Sequence, residues 1–312
     1  MVPSALGAVV EVEGCEDREE MHREDFSFKS PDGTEVACYR WPAEAKPFAV
    51  LQISHGMGEH ALRYEHVAKV MADAGFHVYA NDHRGHGRTA KDRESLGDFG
   101  AGGWDALVGD IVELTRIAHS RENGLPVALL GHSMGSFALQ QCLLDHSDLL
   151  AAAILSGSAS IDRLPIDPSR PFDLRTFNKE FEPARTPYDW LSRDSAVVDA
   201  FISDPLCGFD INPRSIESFA TSSRRLNDVT EIAHIRHNLP IYVLAGKMDP
   251  INLGLEWLKP LVARYRAAGI TNVTERYYAG GRHEMLNETN RIEVLEDLLR
   301  WLRRTLRARQ ES

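Results

Sequence analysis

Residues 126–144 read Pro126-Val127-Ala128-Leu129-Leu130-Gly131-His132-Ser133-Met134-Gly135-Ser136-Phe137-Ala138-Leu139-Gln140-Gln141-Cys142-Leu143-Leu144. An apolar run passes without pause into helix-forming residues, and the join is Gly-x-Ser-x-Gly. A strand that bends into a helix through this pattern forms a nucleophile elbow. The two glycines allow a tight turn without a Cβ clash, so the Ser133 hydroxyl can stand above the sheet at a helix N-terminus. The pentapeptide alone also describes an ordinary turn serine. The flanking strand and helix are what make Ser133 the candidate nucleophile.

Working outward from the elbow, the same alternation continues. Upstream, 25–30 and 35–41 flank an Asp-Gly turn and predict a hairpin. An apolar strand over 48–53 runs into Ser54-His55-Gly56-Met57-Gly58-Glu59, followed by a helix over 60–74 that stops at Gly75. A strand over 76–80 opens a polar loop from Asn81 to Arg88, and 104–120 has helical spacing. Downstream come strands over 149–155, 241–245 and 273–278, with helices over 253–268 and 289–307. These eight strands predict an α/β fold: a mostly parallel sheet, helices on both faces, and chemistry at the carboxyl ends of the strands. The rhythm fails over 160–238, which is rich in proline and charge, with helical pieces at 195–202 and 215–225. That length predicts an inserted helical cap over a core of 25–159 and 239–312, with 1–24 a poorly ordered leader.

Asp249 and His283 each follow a predicted strand directly, and the chain order Ser133, Asp249, His283 is one of the known orders of a serine triad. In that reading His283 takes the Ser133 proton during attack on an acyl carbon, and Asp249 holds the imidazole tautomer. Taken singly, Asp249 next to Pro250 also reads as a helix N-cap, and His283 as a surface loop histidine. The backbone N–H groups of Met134 and Met57 are candidate oxyanion donors. A phosphate-binding loop is disfavoured: no G-x-x-x-x-G-K-[ST] is present, and Gly85-x-Gly87 lacks the remaining glycine of a dinucleotide fingerprint. Asp82, His83 and His86 cluster without the spacing of a metal site and are expected to brace a rigid loop below the active site.

The net charge of −11 disfavours nucleic acid and anionic membranes as general partners. The basic run from Arg303 to Arg309 suits a helix C-terminus. No stretch has the length and apolarity of a membrane span or the pattern of a signal peptide, so a cytoplasmic location is expected. Cys15, Cys38, Cys142 and Cys207 form no C-x-x-C, and reduced structural thiols are expected.

Several motifs together give a resemblance: His55-Gly56-Met57-Gly58-Glu59-His60, Asp82-His83-Arg84-Gly85-His86-Gly87, Gly131-His132-Ser133-Met134-Gly135, Ser203-Asp204-Pro205-Leu206 and His283-Glu284-Met285-Leu286-Asn287-Glu288. They resemble the monoacylglycerol lipase and lysophospholipase-like group of the α/β-hydrolases over about residues 25–308. The resemblance implies Ser133, Asp249 and His283 as the triad, Met57 and Met134 as oxyanion donors, no metal or organic cofactor, and a small ester as substrate. It places His55 and Gly56 near the substrate, and Cys207 beside a matched motif either in the pocket or as a buried structural thiol. The group is expected to touch membranes or micelles only transiently, through the cap. Two departures stand out: Ser136 replaces the glycine that often follows the elbow, and 161–183 carries more Asp, Arg and Pro than a lipid-docking face should show. A short-chain esterase, a lysophospholipase, a peptidase of the proline-iminopeptidase kind and a non-catalytic ligand receptor remain the alternatives.

Overall fold

The computed structural model describes residues 22–167 and 172–307. Residues 1–21 of the N-terminal segment, Cys15 among them, and the end of the basic run lie outside the described residues. The strands are β1 (Glu24–Lys29), β2 (Glu35–Trp41), β3 (Ala49–Ser54), β4 (Phe76–Asn81), β5 (Val127–His132), β6 (Ala152–Ser156), β7 (Ile241–Gly246) and β8 (Val273–Tyr278). They lie side by side in the order β1-β2-β4-β3-β5-β6-β7-β8. The β1–β2 and β2–β4 pairs are antiparallel, and every other pair is parallel. β3, β5 and β7 are buried along their whole length, as strands covered by helices on both faces must be.

The helices are α1 (Glu65–Asp73), α2 (Gly103–Arg121), α3 (Met134–His146), α4 (Ser195–Ser203), α5 (Pro213–Ser222), α6 (Val229–Ile232), α7 (Lys259–Ala267) and α8 (Arg291–Arg307). Two apolar cores result, one on each face of the sheet. Val67 and Met71 of α1 pack with Leu298 and Trp301 of α8 on one face. Leu107 and Ile111 of α2, Leu139 and Leu143 of α3 and Val262 of α7 pack on the other. The one buried amide in the middle of β3, Gln52, is satisfied from α2: its Nε2 donates to the Ile111 carbonyl and its Oε1 accepts from Thr115.

The helix expected over 253–268 starts only at Lys259. Asn252 Oδ1 accepts from Leu255 N–H at 2.7 Å, and Leu253 and Leu255 have positive φ. A local side-chain turn outcompetes the helical ladder there. The helix expected at 215 begins instead at Pro213, capped by Asn212, whose side chain accepts from Ser215 N–H. Arg304 and Arg307 do occupy the last turn of α8.

The chain between β6 and β7 leaves the sheet and holds α4, α5 and α6 with short 3₁₀ turns. Its attachments to the core include two that flank the site. On one side Ser218 of α5 accepts from Trp104 N–H, and Phe219 packs edge-on to Trp104 at 4.5 Å. On the other, the run from Trp190 to Arg193 is strapped to the segment after β8. Leu191 O accepts from Glu284 N–H, Ser192 Oγ donates to Asn287 O, and Arg193 pairs with the buried Glu288.

Candidate active site

Ser133 lies between the last residue of β5 and the first of α3, at φ 51° and ψ −119°. A non-glycine residue is rarely found there, and such strain persists only where the surroundings force it. Gly135 is one of those constraints. A Cβ at Gly135 would come within 2.2 Å of Ser54 O and 2.5 Å of His55 O, so only glycine lets α3 start hard against the end of β3. Ser136, which stands where a glycine often follows the elbow, is accommodated by hydrogen bonding: its hydroxyl donates to the Ser133 carbonyl at 2.6 Å and lies 2.9 Å from Ser158 Oγ.

Asp249 and His283 meet after β7 and β8. Asp249 is fully buried, and His283 Nδ1 lies 3.0 and 3.1 Å from its two carboxylate oxygens. The same carboxylate accepts from Ile251 N–H and from Asn252 Nδ2, so the N-cap reading of Asp249 holds together with the pairing. Carboxylate oxygens only accept, which fixes the His283 proton on Nδ1 and leaves a lone pair on Nε2. Nε2 is buried and, among the described residues, has no hydrogen-bond partner, Ser133 Oγ included. Nucleophile and base commonly close to hydrogen-bond range only with substrate bound. Burial by itself would depress the His283 pKa. The facing Asp249, with Glu284 and Glu59 nearby, overrides burial and leaves it above the ordinary imidazole value.

Ser133 and His283 come together at the end of β6. Ser133 N–H donates to Ser156 O at 2.9 Å, and the His283 ring lies over the next residue, Gly157. A Cβ at Gly157 would stand 2.8 Å from His283 Cε1 and 2.9 Å from His132 Cε1, and φ there is +58°. Gly157→Ala is therefore expected to push the imidazole aside and lower kcat roughly 100-fold, because about 1 Å of misplacement costs that much. Steady-state kinetics on the folded variant checks it. His283 is further enclosed by His132 at 4.7 Å and by Trp190, from the strapped run, at 5.0 Å. Neither Gly157 nor Trp190 belongs to a motif, so no sequence signal marked them.

The loop after β3 brings Met57 to the same cavity as Ser133 and Met134. Gly56, expected near the substrate together with His55, lies against the candidate nucleophile: a Cβ there would stand 3.2 Å from Ser133 Cβ. His83 N–H donates to His55 Nε2 at 3.0 Å, so the His55 proton sits on Nδ1, which donates to Gly56 O at 2.8 Å. Burial holds His55 well below the ordinary imidazole value, which suits a neutral ring. In a trans peptide the C=O and the following N–H point in opposite directions. Fixing Gly56 O thus orients the Met57 N–H, and His55 itself has no exposed surface.

Asp82, His83 and His86 are all spent on the loop scaffold. Asp82 accepts from Tyr39 OH, Ala61 N–H and Arg88 N–H, His83 Nε2 meets Ser54 Oγ, and His86 Nε2 accepts from Gly58 N–H. Burial lowers His83 to about 3 and His86 to about 4, so both are neutral. Cys38, Cys142 and Cys207 are free thiols. Cys207 does not line the cavity. Its sulfur lies within 4.8 Å of ligand atoms of His60 and Asp204, but His60 is hydrogen-bonded to Asp204 at 2.9 Å and burial pushes the thiol pKa up. That grouping ties the loop after β3 to the chain after α4.

The cavity beside Ser133 is walled by the core residues Met57, Met134, Phe137 and Ile251 and by Leu164, Pro165, Ile166, Phe172, Leu174, Phe177 and Phe219 from the inserted segment. Among the described residues Ser133 is the only polar group on that wall. Leu164, Ile166, Phe172, Leu174 and Phe177 of 161–183 thus face the cavity, while the described charged residues of that stretch lie at or near the surface; Arg175, for instance, pairs with Asp173 there. The segment's exposed large apolar residues, Ile202 and Val229, stand on separate helices.

An elbow serine, a buried Asp–His pair and an eight-stranded sheet in this order define an α/β-hydrolase. The chain belongs to the Hydrolase_4 family, described as serine aminopeptidase, S33, whose model matches residues 45–290. It is 29% identical over 283 residues to a monoacylglycerol lipase of Mycolicibacterium smegmatis, covering 90% of this chain and 97% of that one. It is 30% identical over 181 residues to the monoglyceride lipase of Homo sapiens, covering 56% and 57%. A thermostable carboxyl esterase from Bacillus coagulans, solved with glycerol, superposes with a TM-score of 0.82 at 28% identity, covering 92% and 100%. The resemblance carried by the five motifs is therefore upheld. No described helix is long and apolar enough to cross a membrane.

Proposed function

We propose that the chain hydrolyses monoacylglycerol-like monoesters with an acyl chain of medium or greater length, through an acyl-enzyme on Ser133. The chain is a carboxylic ester hydrolase, and its relatives include enzymes named for monoacylglycerol. In the proposed cycle His283 Nε2 takes the Ser133 proton as Oγ attacks the carbonyl carbon. Met57 and Met134 N–H groups bind the oxyanion, and the imidazolium, steadied by Asp249, protonates the leaving alcohol. Water then attacks the acyl carbon with His283 again as base, releasing the acid and restoring Ser133. Residues 160–238 act as the cap that shapes the acyl site.

The observation that supports this reading most strongly is the apolar wall against Ser133, built jointly by core and cap. Each methylene buried there contributes about 0.8 kcal/mol, so selectivity should climb with chain length until the slot is full. A free amine, by contrast, needs an acidic partner. Among the described residues no carboxylate lines the cavity, and Glu59 has both oxygens engaged by Gly56 N–H, Tyr64 OH and Arg63. That weighs against the aminopeptidase activity in the family's description. The test is kcat/KM across p-nitrophenyl esters from acetate to palmitate, with a monoacylglycerol and a lysophospholipid alongside. A rise toward medium or long chains with release of glycerol is expected. A preference for acetate with the monoacylglycerol untouched would reject the substrate assignment.

A further inference from the structure

Behind the triad lies a buried ionic group that the reaction scheme leaves unused. Glu59 and Glu284 are about 3% exposed at their side chains and Arg63 about 11%, and the three bridge loops separated by more than two hundred residues. Arg63 Nη1 and Nη2 donate to the two Glu284 oxygens at 2.7 and 2.8 Å, a bidentate fork, and Nη1 also donates to Glu59 Oε2. Glu59 Oε1 accepts from Gly56 N–H at 2.5 Å and from Tyr64 OH at 2.8 Å. Glu284 is the residue after His283, and its N–H and Oε2 are held in turn by Leu191 O and Asn287 Nδ2. Burial pushes the Glu59 carboxyl above its ordinary value against the pull of Arg63, and Glu284 beside it pushes the same way. Proteins retain such a group at a cost in desolvation, so stability alone is a weak reason for it.

We infer that Glu59, Arg63 and Glu284 form a positioning clamp that fixes the oxyanion loop relative to the general base. Gly56 is gripped from both sides: Glu59 holds its N–H, and His55 holds its C=O. Through Arg63 the first grip is tied to the residue next to His283. The clamp sets the distance between the Met57 donor and the base, which no single loop can set, because an oxyanion donor is effective only where the charge develops. Glu59, Arg63 and Glu284 touch no substrate in this reading; they act through Met57 and His283. The inference rests on the triad and oxyanion assignments above.

Glu59→Gln, Glu284→Gln, Arg63→Gln and Arg63→Lys test it. Each is compared with the unaltered protein for kcat, KM, melting temperature, active sites titrated by a fluorophosphonate, and inhibition by an alkylboronic acid, which forms a tetrahedral adduct on the serine. In Glu59→Gln the amide N–H₂ must face either Arg63 or Gly56 N–H, so one of the two grips is lost. The expected result for the glutamine variants is a loss of roughly 10- to 100-fold in kcat per titrated site with KM within about twofold. The boronate Ki should rise by the same factor as kcat/KM falls. Arg63→Lys keeps the charge without the fork and should lose less than Arg63→Gln. If a folded glutamine variant keeps kcat within twofold, or loses kcat with an unchanged boronate Ki, the clamp is overturned. Failure of the underlying assignment looks different: the boronate and the fluorophosphonate would then leave the unaltered protein untouched.

Discussion

Ser133→Ala is expected to lower kcat by roughly 10⁶-fold, about 8 kcal/mol in the barrier, with the protein still folded. The size follows from losing the covalent route entirely. Without Oγ there is no acyl-enzyme, and only the oxyanion donors and binding remain to assist attack by water. Folding should survive, because alanine keeps the Cβ and the backbone of the elbow is held by contacts the hydroxyl does not make. Ser133 N–H still pairs with Ser156 O, and α3 still packs against β3 at Gly135. Progress curves at high enzyme concentration with an activated ester check it. A residual kcat within 100-fold of the unaltered protein would mean that another group attacks the ester.

Asp249→Asn is expected to cost roughly 10⁴-fold in kcat and to move the acid limb of kcat/KM to lower pH. Asn can keep its oxygen at the Oδ1 position toward Ile251 N–H, but its N–H₂ then replaces Oδ2, 3.1 Å from His283 Nδ1, and donates there in competition with the Nδ1 proton, favouring the tautomer with the proton on Nε2. That tautomer has no lone pair for Ser133. The shift in the limb has its own cause. His283 works as a base only when neutral, so kcat/KM rises with pH through its pKa. Burial depresses that pKa while Asp249 raises it, and the balance in the native protein lies above the ordinary imidazole value. Removing the carboxylate charge lets burial dominate, and the residual activity should persist to lower pH than in the unaltered protein. Measured pH profiles for the two proteins decide it. A limb that stays in place would mean that a group other than His283 controls it.

Most of the candidate site's layout was legible because it depends on local patterns at strand ends. The strand, the Gly-x-Ser-x-Gly turn and the helix form one continuous stretch, and Asp249 and His283 follow their strands directly. What was not legible depends on how distant pieces meet. In 161–183 the apolar residues Leu164, Ile166, Phe172 and Phe177 follow neither a period of 2 nor one of 3.6, because they project from irregular turns onto one cavity. Read as composition, that stretch looked charged and unsuited to a lipid chain. Folded, its described charged residues lie at or near the surface, and those four apolar residues line the cavity beside Ser133. The partners of His55 were hidden for a related reason: His83 N–H and Gly56 O, which hold its two ring nitrogens, are set by how the two loops meet. Glu59 and Arg63 have i,i+4 spacing and would ordinarily read as a solvated helix pair. Glu284, arriving from the far end of the chain, makes them a buried clamp.

The most direct test of the account is labelling with an alkyl fluorophosphonate followed by peptide mapping. The account predicts one phosphonyl group per chain, on the peptide containing Ser133, formed at a rate that falls in Asp249→Asn and with no labelling in Ser133→Ala. A phosphonyl group on any other residue, or an unlabelled native protein that still hydrolyses esters, would contradict it.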